Sequence, residues 1–136
     1  MDNSTELMDL PTLSRQEQKD IVAGVEQYCK KLERRAKDGR ELGKMQEAGR
    51  DEGEAEGLRE ELVEPGPETL RIRGTHRSAI EKGLVILAHN KTVGKGTVKA
   101  LGHPEWAEQL QRESEHINET LLPHFQEQGS LPLSSE

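Results

Sequence analysis

LVILAHNKTVGKGTVKALG, residues 84–102, runs from an apolar stretch straight into glycines and lysines, and its conformation decides the shape of the chain. Ile80, Leu84, Leu87 and Ala88 share one helical face, and Ser78 with Glu81 matches the capping-box pattern, so a helix over 79–89 is expected. Val85, Ile86, Thr92, Val93, Thr97 and Val98 favour sheet instead, which keeps a hairpin over 84–101 open as the alternative. In the helical reading the glycines after Asn90 turn the chain while Lys91, Lys95 and Lys99 stay in water. A nucleotide-binding loop is not matched. Asn90 stands where that motif needs its first glycine, and Gly96 replaces the hydroxyl residue that would touch magnesium. A helix-turn-helix fits poorly too, because the link after Asn90 is about twice the usual three or four residues.

Working outward, Pro104 suits the first turn of a helix whose face carries Trp106, Leu110, Ile117 and Leu121 until Pro123 ends it. On the other side, TLRIR at 69–73 alternates apolar and basic residues like a short half-buried strand. Together these make a small helical module over 69–122. Pro65-Gly66-Pro67 marks its boundary. Residues 39–68 place five glycines among acidic helix formers, and each interior glycine costs a helix about 1 kcal/mol relative to alanine, so an acidic linker or frayed helix is expected there.

The clearest helical signal lies further toward the amino terminus, over 14–38. Ser14 and Glu17 form a capping box, and Ile21, Val22, Val25, Cys29, Leu32 and Ala36 follow at helical spacing. Val22, Val25, Cys29, Leu32 and Ala36 step by three and four, the seam of a coiled coil, which would serve either self-association or packing within the chain. Lys30, Lys31, Arg34, Arg35 and Lys37 crowd the end of this helix, as a nuclear-entry signal, a nucleic-acid patch or a solvated terminus favoured by the helix dipole would. Residues 1–13 read as a flexible amino terminus and 123–136 as a disordered tail. The expected fold is therefore mainly α: an amphipathic helix, an acidic glycine-rich linker and a helical module with a short strand or hairpin as its alternative.

Charge is distributed unevenly around the net value of −7. Residues 69–103 carry Arg71, Arg73, Arg77, Lys82, Lys91, Lys95 and Lys99 against Glu81 alone, while the segments on either side, 40–68 and 104–136, are strongly acidic. A basic stretch of this kind meets something anionic, either an external phosphate backbone or the chain's own acidic arms.

Several classes are disfavoured. The amino terminus has no basic then apolar leader and no stretch approaches 18 apolar residues, so an intracellular protein, cytoplasmic or nuclear, without a membrane span is expected. Cys29 is alone, which excludes an internal disulfide. His76, His89, His103, His116 and His124 are scattered, and Glu113 with His116 supplies only half of a di-iron motif. No nucleophile signature surrounds Cys29 or the serines, so a non-enzyme without metal or cofactor is expected. The first functional expectation is an oligomer, self-associating through Val22, Val25, Cys29, Leu32 and Ala36. Its Arg71, Arg73, Arg77, Lys91, Lys95 and Lys99 would hold a nucleic acid or nucleoprotein through sequence-independent phosphate contacts. The alternative is an acidic regulatory adaptor that docks on a protein partner and binds no nucleic acid.

Overall fold

Ser14 starts the first helix as its capping box predicts: its hydroxyl accepts from the Glu17 backbone N–H at 3.1 Å, and the Glu17 carboxylate accepts from the Ser14 N–H at 2.8 Å. The computed structural model describes residues 7–8, 10, 12–67 and 70–126. They form four main helices: α1 (Arg15–Glu41), α2 (Met45–Leu58), α3 (Arg77–Ala100) and α4 (Pro104–His116). The fold is mainly α. The expected strand at 69–73 is reduced to one isolated bridge between Leu7 and Arg73, beside a bond from the Met8 N–H to the Ile72 carbonyl at 2.8 Å.

Further expectations change. Residues 45–58, read as linker or frayed helix, form α2, which buries Ala48, Ala55 and Leu58 against α1 and continues through a wider turn over Arg59–Val63 that buries Leu62. Packing outweighs the glycine penalty, because Gly49, Gly53 and Gly57 sit where nothing lies within 4 Å of an added Cβ while the apolar residues face inward. Likewise residues 84–102 are neither loop nor hairpin. α3 runs unbroken to Ala100 and ends at Gly102, whose φ of +90° halts it. The β-branched residues are accommodated because α4 lies along this half of α3, with Gly94 facing Leu110 Cδ1 at a distance that would be 3.5 Å from a Cβ. Parts of the expected flexible amino terminus, and the tail from 127 onward, lie outside the described residues. At 123–126 the tail expectation gives way to a short 3₁₀ turn over Leu122–Phe125 that buries Phe125 completely.

The four helices form two hairpins that repeat one another at a constant spacing of 59 residues. Leu42-Gly43 closes the first and Leu101-Gly102 the second, both glycines with positive φ. In each, the residue after the glycine donates its N–H five residues back, Lys44 to Gly39 at 2.7 Å and His103 to Val98 at 2.9 Å, a Schellman cap. Buried positions correspond as well: Ile21 with Ile80, Val25 with Leu84, Cys29 with Ala88, Ala48 with Ala107, Ala55 with Ser114, Leu58 with Ile117 and Leu62 with Leu121.

The hairpins meet through their first helices. A Cβ on Gly83 would stand 2.4 Å from the Gly24 carbonyl oxygen, and one on Gly24 would stand 2.9 Å from the Gly83 carbonyl carbon, so two backbones touch where only glycine fits. Around this point Ile21, Val25, Tyr28, Leu32, Ile80 and Leu84 join Leu58, Leu62, Ile117, Leu121 and Phe125 in one core. Full burial of each larger aliphatic side chain contributes about 1.5–3 kcal/mol.

Candidate docking surface

The residues expected to grip phosphates do not form one free cationic surface. Lys91, on α3, has only 19% of its side chain exposed and donates from Nζ to Glu113 Oε1 at 2.7 Å. Lys95 donates to Gln111 Oε1 at 2.6 Å. Their partners lie on α4, so the basic stretch meets the acidic segment that follows it, and the expectation that all three lysines stay in water holds only for Lys99. Arg71 is exposed, Arg77 is half-buried at the start of α3, and neither they nor Lys99 enter an ion pair among the described residues. Arg73 is half-buried, with its backbone N–H donated to His76 Nδ1 at 3.0 Å. The first hairpin follows the same logic. Arg35 of α1 grips Asp51 of α2 with two bonds of 2.8 Å, Arg40 pairs with Glu52, and Arg59 reaches back to Glu26 and Glu33. Each hairpin therefore ties its two arms together by bonds between charged side chains, which engage part of the alternating charge of the sequence inside the chain.

The seam residues are also engaged internally. Val25, Cys29 and Ala36 are fully buried, Leu32 is nearly so, and Val22 is half-buried, within a single chain. Helices α2 and α3 occupy the surface that a coiled-coil partner would need. The Cys29 thiol donates toward the Ala55 carbonyl at 3.4 Å, and burial pushes it up to about 11, so it stays protonated and unreactive at neutral pH.

His76 and His116 each meet a carboxylate of another element. His76 is buried, with Nε2 2.6 Å from Glu61 Oε1, and ties the end of the first hairpin to the start of α3. His116 Nε2 lies 3.0 Å from Glu17 Oε2. Burial alone would raise the Glu113 carboxyl, but the bonds from Lys91 and Gln109 outweigh it and hold the group below its ordinary range. Glu113 and His116 thus face different partners, and no group of three metal-binding side chains comes together among the described residues.

Some apolar side chains also remain uncovered. Val85 is 50% exposed, Val93 56%, and Trp106 54%, the last stacked on His103 with ring centroids 3.9 Å apart. Of the stripe expected along α4, Ile117 and Leu121 are buried in the core, leaving Trp106 as its exposed end. A cleft of about 410 Å³ lies between α1 and α3, lined by Tyr28, Lys31, Leu32, Arg35, Glu81, Lys82, Val85 and Ile86. Tyr28 is held in place by its hydroxyl, which donates to Glu54 Oε2 at 3.3 Å, and by Lys82, whose Nζ lies 5.7 Å from the ring centre. The sequence carried one sign of this cleft. Four consecutive apolar residues at 84–87 are more than one buried helical stripe can use, so part of the run must face outward.

No helix among the described residues is long and apolar enough to cross a membrane. Neither a family model, nor a curated protein, nor a solved structure matches the chain.

Proposed function

We propose that this protein is a non-enzymatic helical adaptor that docks on a protein partner. One observation carries the reading: Lys91 and Lys95, two lysines at the centre of the basic segment, are engaged by α4, whereas Val85 and Val93 on the outward face of α3 are half exposed. An exposed apolar patch beside a formed cleft is what helical adaptors offer a partner. On this reading the cleft binds a partner, and the buried Cys29 thiol takes no part in it.

A second reading keeps some support, because Arg71, Arg77 and Lys99 form no ion pair among the described residues. Three scattered cations would give weak, sequence-independent binding to a phosphate backbone. Electrophoretic mobility with single-stranded RNA and duplex DNA at low and moderate salt separates the two. Under the adaptor reading neither nucleic acid is retained at moderate salt. Retention that falls steeply with salt and disappears when Arg71, Arg77 and Lys99 are replaced by Glu would establish phosphate binding in its place.

A further inference from the structure

We propose that the cleft between α1 and α3 receives an acidic amphipathic helix of a partner protein, anchored on Val85 and Ile86 and clasped by Lys31 and Lys82. The inference rests on the adaptor reading and specifies its site and the chemistry of its partner.

The repeat supplies the first argument. Shifting by 59 residues, Val85 and Ile86 correspond to Glu26 and Gln27 of the first hairpin. There the same outward position is polar, and Glu26 is tied to Arg59 at 3.0 Å. In the second hairpin Val85 stands half exposed there, and Ile86, partly buried, packs on the core from the cleft floor, although the fold tolerates polar residues at that place. The exposed half of Val85 is not required by packing, and desolvating it on a partner would contribute roughly 25 cal/mol for each Å² of apolar surface removed from water.

Charge supplies the second. Lys31 projects from one wall and Lys82 from the other, both exposed, and neither forms an ion pair among the described residues. Arg35, further along the α1 wall, is held by Asp51, and Glu81 is the only carboxylate lining the cleft among the described residues. Arg34, exposed one turn beyond Lys31, extends the cationic wall. In a chain of net charge −7, an apolar floor between two unpaired lysines is a local inversion of the surface, and it complements a segment that presents leucines on one face and carboxylates beside them.

Shape supplies the third. The walls are two helices, and the volume of about 410 Å³ falls within the range of clefts that hold a ligand's side chains. Two helical ridges with a furrow between them accept a third helix through residues at i, i+3 or i+4, and i+7. Nucleic acid fits less well, because the one aromatic ring in the cleft is largely buried and has Lys82 over it, leaving no open platform for a base.

The test uses the full chain, ¹⁵N-labelled, titrated with three probes: a synthetic helical peptide of leucines at i, i+4, i+7 and i+11 with glutamates elsewhere, the same peptide with lysines for glutamates, and a single-stranded RNA. The acidic peptide is expected to shift the amides of Tyr28, Lys31, Lys82, Val85 and Ile86, and to bind at least tenfold more tightly than the basic one. The Val85→Glu variant, which restores the residue type found at the matching position of the first hairpin, and the Lys31→Glu/Lys82→Glu pair should each weaken it tenfold or more. An unchanged circular dichroism spectrum keeps these variants interpretable, since all three side chains face solvent. Binding of the acidic peptide elsewhere, at Trp106 for instance, would overturn the cleft and leave the adaptor reading standing. Failure of both peptides, with RNA shifting Arg77 and Lys99, would overturn both.

Discussion

At Gly83 a single methyl group decides whether the two hairpins meet. Its Cβ would lie 2.4 Å from a backbone oxygen, which cannot rotate away as a side chain would, so Gly83→Ala must push α1 and α3 apart along their whole contact. We expect a loss of about 3 kcal/mol, near the upper end of overpacking costs. Gly53→Ala should do the reverse. It is helical and faces open space, so the added methyl meets nothing and restricts the unfolded chain, for a gain of about 0.5–1 kcal/mol. Urea midpoints of the two variants should therefore move in opposite directions, and a neutral Gly83→Ala would mean that the glycine contact is not what joins the halves. The glycines look alike in the sequence. Only the register between residues far apart in the chain separates those that must be glycine from those that need not be, and that register is a tertiary fact.

Among the elements, α1 and the start of α4 were legible because their signals are local: a capping box at Ser14 and Glu17, and a proline at position 104. α2 was not, because residue preferences penalise its glycines while its stabilisation comes from Ala48, Ala55, Leu58 and Leu62 packing on a helix that precedes it. The second half of α3 was hidden for the same reason, since its sheet-favouring residues are held helical by α4. The coiled-coil seam was correctly seen as an apolar stripe, but a stripe does not name its partner. Here that partner is the chain itself. Leu32→Ala should accordingly cost about 2–5 kcal/mol, as truncation of a fully buried leucine does, and leave the mass measured by light scattering unchanged. A change in mass without a loss of stability would restore the seam as a surface between copies. The cleft, in turn, needs Tyr28 and Val85 brought side by side, and the surplus apolar run at 84–87 was its only local trace.

For the whole molecule, ion pairs within each hairpin make stability depend on pH in a definite direction. The Arg59 and Arg35 guanidinium groups hold Glu33 and Asp51 below the ordinary carboxylate range. Glu17 and Glu113 end below it as well, because their bonding partners outweigh the rise that burial alone would give. A carboxyl depressed on folding contributes stability above its unfolded pKa, near 4, and that contribution is lost as pH falls through the folded value. Asp20 runs the other way. Burial raises it, despite the bond from Gln16 at 3.0 Å and the nearby charge of Lys91, so the folded state takes up this proton before the unfolded chain does. Its share of the stability therefore improves on acidification through the raised value. Urea titrations should show Asp20→Asn more stable than the parent at pH 7, with the advantage shrinking toward pH 4, while both proteins weaken below it. An advantage that did not change with pH would place its origin in packing rather than ionisation. The contact between Gly24 and Gly83 has a consequence at this scale too. Because each hairpin offers the same patch to the other, the interface is isologous, as in a two-fold dimer whose protomers have been fused. The connection across Pro65, Gly66 and Pro67 turns what would be a bimolecular encounter into an intramolecular one at an effective concentration on the order of millimolar, and so frees the assembled pair from mass action: it persists at any dilution.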